Sequence, residues 1–195
     1  MTGVLIILGV LFAALMLILG IYNGLVTARN QVKNAFAQID VQLKRRYDLI
    51  PNLVEVAKKY MAHEKDTFEA VVKARNVAIS SQKAASEDPS DGEAVEKLNK
   101  AEGEVSSTLG RLLMLTENYP ELKADSTMNK LTEELTSTEN KVSFSRQHYN
   151  DSVMAYNNKR EVFPNSVIAG MFNFKASSYF EIENAVEKEA VKVQL

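Results

Sequence analysis

The side chains best equipped for chemistry are two histidines, His63 and His148, set among 25 acidic residues. His63-Glu64 opens like the HExxH of a zinc protease, in which histidines one helical turn apart hold the metal and the glutamate activates water. Position 67 is Thr67, so the second ligand is missing. A ferritin-like di-iron bundle would need Glu-x-x-His on facing helices, and neither histidine stands in that motif. Glu133-Glu134 and the Glu121/Asp125 pair read as solvated helix faces. No acid sits beside a His or Ser as a nucleophile and its base would, and the Gly-x-x-x-x-Gly-Lys of a phosphate loop is absent. With no Cys, thiol catalysis, disulfides and thiolate metal sites are excluded. A net charge of −2 gives no electrostatic case for a nucleic-acid partner. The expectation is a protein with no catalytic residue, metal or cofactor, and so a binding or scaffolding role.

The elements that position such a protein begin with an anchor. Residues 2–28 carry no charged side chain, and an apolar run extends from Val4 to Ile21. That length is close to the ~20 residues needed to cross ~30 Å of hydrocarbon as a helix. The run is apolar on every side, leaving no polar face for a soluble setting. A cleaved signal fits less well, because Met1-Thr2-Gly3 has no Lys or Arg and the run exceeds the usual ~7–15-residue apolar core of a signal. The expected division is an anchor over 1–22, a bundle over 23–164, and a C-terminal apolar segment with an acidic tail over 165–195. The lipid bilayer is the expected partner of residues 4–22. Arg29, Lys33 and Lys44-Arg45-Arg46 follow the anchor, so the positive-inside rule favours a cytoplasmic body with the amino terminus outside. A periplasmic body is the alternative.

The rest is helical in pattern. Leu25, Val32, Phe36, Ile39, Leu43, Ile50, Val54 and Ala57 recur at steps of three and four, with omitted steps at 28/29 and 46/47. No glycine-rich linker intervenes, so anchor and first helix form one rod, in which Pro51 predicts a kink. A second helix is expected near Glu64–Ala85, with Phe68, Val71, Val72 and Ile79 on its apolar face. A third is expected near Glu93–Thr116, closed by Tyr119-Pro120. A fourth runs from about Ser126, capped by Ser126 or Thr127, to Val162. In it Met128, Leu135, Val142, Tyr149, Tyr156 and Phe163 repeat at sevens. The companion row Leu131, Thr138, Ser145, Ser152 and Lys159 turns polar after its first member, which favours packing inside a bundle over a free coiled coil. The fold expected is all-α, an N-terminal transmembrane helix continuing into a four-helix up-and-down bundle.

Two sets of residues are candidates for interaction. Lys44, Arg45, Arg46 and Asp48 fall on several faces of one helix, so they are expected to pair with acids of a neighbouring helix in the same or another subunit. Val167, Ile168, Met171, Phe172, Phe174, Tyr179 and Phe180 crowd together after Pro164. They either fold over the membrane-proximal end of the bundle, or lie at the bilayer interface or against an adjacent subunit. Tyr149 and Tyr156 are read as core rings with hydroxyls at the bundle edge, the alternative being a partner surface.

Ile39-Asp40-Val41-Gln42-Leu43-Lys44-Arg45-Arg46-Tyr47-Asp48-Leu49-Ile50-Pro51-Asn52-Leu53-Val54 resembles the most characteristic run of the LemA family, membrane-anchored bacterial helical proteins. Tyr22-Asn23-Gly24-Leu25-Val26, Tyr119-Pro120-Glu121-Leu122-Lys123, Tyr149-Asn150, Tyr156-Asn157 and Phe163-Pro164 extend the likeness over residues 22–180. Phe36 departs from an aromatic such as Trp. The resemblance implies an anchor and a four-helix bundle and supplies no catalytic residue. The function expected is that of a single-pass scaffold or adaptor in the bacterial inner membrane, self-associating as a homo-oligomer or organising membrane-protein partners. The rival is an accessory factor of an envelope protease or stress system, acting through one specific partner.

Overall fold

The computed structural model describes residues 1–180, and the tail from Glu181 onward lies outside them. One helix, α1, runs unbroken from Thr2 to Lys58 and continues through Pro51. Its first third has the length and composition to cross a membrane, and no residue of that apolar window is buried. Partial packing begins at Ile18, Ile21 and Tyr22, and full burial at Leu25. The boundary between anchor and body thus falls inside a continuous helix.

The body is a four-helix bundle of α1, α2 (Lys65–Glu87), α3 (Gly92–Thr116) and α5 (Ser126–Glu161), with short helices α4 (Pro120–Ala124) and α6 (Asn165–Met171) at opposite ends. Among the described residues there is no strand. The core is the expected stripe of α1, with Ala28, Arg46 and Tyr47 filling its two omitted steps. On α2 the buried face is Phe68, Val71, Ala74, Ala78, Gln82 and Ala85, and Val72 points outward instead. Small side chains there let α1 and α3 approach closely.

Helix α5 lies antiparallel along α1. Lys159 reaches Gly24, Tyr149 meets Phe36 edge to face at 5.8 Å, Arg46 pairs with Glu139 at 2.8 Å, and Tyr60 donates to Asp125 at 2.9 Å. Each step away from the membrane on α1 therefore matches an equal step back on α5. The polar row of α5 explains the fit: Thr138 and Ser145 are buried and small, so α1 can seat against them. The aromatic row is buried as far as Tyr156, whereas Phe163 lies beyond the helix end and faces outward.

Turn chemistry sets the ends. Asp91 caps α3, accepting from the Glu93 and Ala94 amides. Asp125, not Ser126 or Thr127, caps α5, its carboxylate accepting from Thr127 and Met128 at 2.8 and 2.9 Å. Pro120 does not merely stop α3. It occupies the first turn of α4, where a missing amide costs nothing, and Leu122 pins that turn to the core.

Candidate functional site

Inside the bundle a charged cluster occupies core positions. Arg46 on α1 and Glu102 on α3 are each only 2% exposed and pair at 2.9 Å. The same carboxylate accepts a short hydrogen bond from the Tyr47 hydroxyl and another from Arg146 on α5 at 3.3 Å. Arg46 also donates to Ser106 and pairs with Glu139. Burial, then the Glu102 charge and hydrogen bond, push the Tyr47 phenol well above the ordinary tyrosine range. Burial pulls the Arg146 guanidinium below its usual value, against the pull of Glu102 and Glu139. The cluster ties three helices at one level, and its charges are matched to each other.

The second construction is a strap. After α6 the chain turns and runs from Phe174 to Phe180 along α5, away from the membrane-proximal end. It covers the stretch of α1 and α5 that the shorter α2–α3 hairpin leaves bare. Asn157 exchanges two hydrogen bonds with the backbone of Ser177, at 2.9 and 3.0 Å. Asn150 does the same with Phe180, at 3.0 and 2.8 Å. Tyr156 and Tyr149 donate to the carbonyls of Lys175 and Ser178, at 2.8 and 2.9 Å, and Arg160 donates to that of Phe174. Arg29 lies over the Phe174 ring and Arg146 over the Phe180 ring. At the far end the Ser178 hydroxyl fits against Gly92, where a Cβ would stand 2.3 Å from the oxygen. The tyrosines are thus core rings whose hydroxyls reach the bundle edge. The asparagines beside them carry as much of the strap, and no hydrophobic period reveals them.

The candidate interaction residues divide. Arg46, Ile168, Phe174 and Phe180 are engaged within the bundle and offer no outer surface. Lys44, Arg45 and Asp48 are exposed, and among the described residues no ion pair joins them to another helix. Within this chain the pairing expected for that set is seen at Arg46. Val167, Met171, Phe172 and Tyr179 are exposed. The segment after Pro164 therefore does fold over the membrane-proximal end, with half of its apolar side chains left outside.

At the distal end an open groove of about 790 Å³ lies between the end of α1 and the outer face of α2, lined by Phe68, Val72 and Val77 with Lys58, Lys65 and Lys73. Among the described residues no group of three or more His, Asp or Glu could hold a metal.

A sequence profile described as the LemA family matches residues 35–195. Magnetosome proteins MamQ 2 and MamQ 1 of Paramagnetospirillum magneticum are each 25% identical, over 89% of this chain and 70% of theirs. Magnetosome protein MamQ of Magnetospirillum gryphiswaldense is 24% identical with the same coverage.

Proposed function

The chain belongs to the LemA family, and on that footing we propose that this membrane-associated protein is a non-enzymatic scaffold or adaptor of the bacterial inner membrane. The observation that carries the reading is the continuity of α1. A single helix leads from the apolar stretch to the distal end of the bundle, on the order of 50 Å beyond Tyr22 at 1.5 Å per residue. Such a rod holds the body at a set height and angle, as suits a protein that positions others. The buried charges support the same reading, because they pair with each other and none faces a cleft.

The same reading puts the body on the cytoplasmic side. Residues 22–35 and 155–180, which meet at the membrane-proximal end, carry Arg29, Lys33, Lys159, Arg160 and Lys175 against the single acid Glu161. That is the asymmetry expected of a cytoplasmic flank.

Affinity purification from native membranes, with mass measurement of the intact complex, tests the function. A scaffold brings down mainly copies of itself and several membrane proteins. One dominant stoichiometric partner would instead favour the accessory factor of a protease or stress system. A monomer that retains nothing would overturn both.

A further inference from the structure

Val167 and Met171 stand four residues apart on α6 and are 53% and 70% exposed, Phe163 in the turn just before it is 79% exposed, and Ile168 and Ala169 on the opposite side of α6 are buried. The segment is therefore amphipathic in place, with an apolar row that none of the described residues covers. Its position is set by Tyr22, the first residue after the apolar stretch of α1, whose ring lies 4.9 Å from that of Phe172. Lys159 comes against Gly24 about half a turn higher. The row thus sits level with the point where α1 leaves the span. A collar of five cations and one acid extends from this level to Lys33, about three turns further along α1, and that acid, Glu161, is paired with Arg160 at 3.1 Å. The whole chain, by contrast, is net negative.

We propose that α6 and its flanks are a second bilayer contact. The row from Phe163 to Met171 enters the interfacial region of the leaflet from which α1 emerges, and the collar faces the anionic phosphates of the headgroups. A short amphipathic segment flanked by cations and aromatic rings suits this half-wet layer. Lys and Arg near an anionic surface add to the attraction. The surface is continuous with the lipid-facing side of α1, and any soluble partner would have to approach at the level of the headgroups. The rod of α1 fixes the body relative to the spanning helix, and a second contact on α6 fixes the tilt of the two together against the bilayer. The inference requires the membrane location and is independent of whether the bundle serves many partners or one.

The chain has no Cys, so single-cysteine labels are clean. M171C and V167C, with M114C on the outward surface of the distal end as control, would carry an environment-sensitive fluorophore in the full chain. Each would be reconstituted into vesicles of phosphatidylcholine alone or mixed with phosphatidylglycerol. The expected result is blue-shifted emission, quenching by spin-labelled acyl chains and loss of iodide quenching at 167 and 171, but not at 114. The effect should be stronger with phosphatidylglycerol. Positions 167 and 171 as open to iodide as 114 would overturn the proposal. So would shielding from iodide without quenching by lipid, which would mean that protein and not the bilayer covers the row. Equal depth in both vesicle types would overturn the role given to the cations.

Discussion

Asn157 and Ser177 close a two-bond ring: the side-chain oxygen accepts from the Ser177 amide and the side-chain nitrogen donates to the Ser177 carbonyl. Asn150 and Phe180 repeat the ring seven residues back on α5. The spacing has a simple origin. Seven helical residues rise about 10.5 Å, and three extended residues cover about 10 Å. A heptad on the helix therefore matches a three-residue step on the strap, both from Ser177 to Phe180 and, for the tyrosine hydroxyls, from Lys175 to Ser178. The asparagines act as a strand edge made of side chains, reading main chain and not side-chain identity.

Replacing either asparagine should loosen the strap alone. Asn157→Ala removes two bonds, each worth on the order of 1 kcal/mol, and Asn150→Ala should behave alike. Hydrogen exchange should show lost protection at the Ser177 or Phe180 amide, with α2 and α3 unchanged. Uniform loosening of the whole bundle would mean that the strap is not a separate unit.

Glu102→Ala should be much more damaging. It takes the one ion-pair partner that Arg146 has among the described residues and leaves the buried Arg46 only Glu139, which is 43% exposed, and the Nε of each arginine already has no partner. Breaking a buried pair from one side costs about 3–5 kcal/mol. Replacing Arg46, Glu102 and Arg146 together by Met, Leu and Met should cost far less, because no buried charge is left unpaired and Glu139, which loses Arg46, is 43% exposed to water. Thermal unfolding of the two variants decides this. Equal losses would show that packing volume, not charge pairing, governs the level.

The same residues show what a sequence conveys and what it withholds. The apolar stripes, the helix ends at Pro120 and Pro164, and the anchor were legible because period and composition carry them. The stripe of α1 broke at 46/47, and that of α3 passes from Leu98 to Val105 without an apolar residue at 102. Both breaks are now the two ends of one buried ion pair. A charged residue in a core looks like a gap to any hydrophobic pattern, and only its partner on another helix reveals it. The apolar crowd after Pro164 was visible too. Which of its members face inward depends on the path of the strap, and that path is set by Asn150 and Asn157, polar residues with no periodic signature of burial.

Acid should act through Asp125. The Met128 amide first, then the Tyr60 hydroxyl, hold its carboxyl below the usual range. A depressed folded value contributes stability that is present above the unfolded carboxylate range and is lost as pH falls through the folded value. Asp125→Asn keeps a capping side chain but cannot titrate. It should flatten the acid limb of a stability–pH curve while leaving neutral-pH helicity intact, and an unchanged acid limb would remove Asp125 from the account.

Alkali should act through the buried tyrosines. Tyr47 is raised by burial and then by Glu102, and Tyr149 by burial alone. Tyr156 is raised by burial, against the pull of Arg29 and Arg160. In the unfolded chain a phenol ionises near pH ~10. Above that point the unfolded state sheds protons that the folded state keeps, so stability is fully present below pH ~10 and falls as pH rises further. Each such tyrosine should shift the unfolding equilibrium about tenfold per pH unit. Phenolate absorbance should therefore lag behind that of free tyrosine and complete only as helical circular dichroism is lost. Tyr47→Phe should make the alkaline limb shallower by one proton, though it leaves Glu102 without one of its donors. Full ionisation of all seven tyrosines near pH ~10 with the helices intact would mean that these hydroxyls meet solvent, and would remove both the cluster and the strap contacts as drawn.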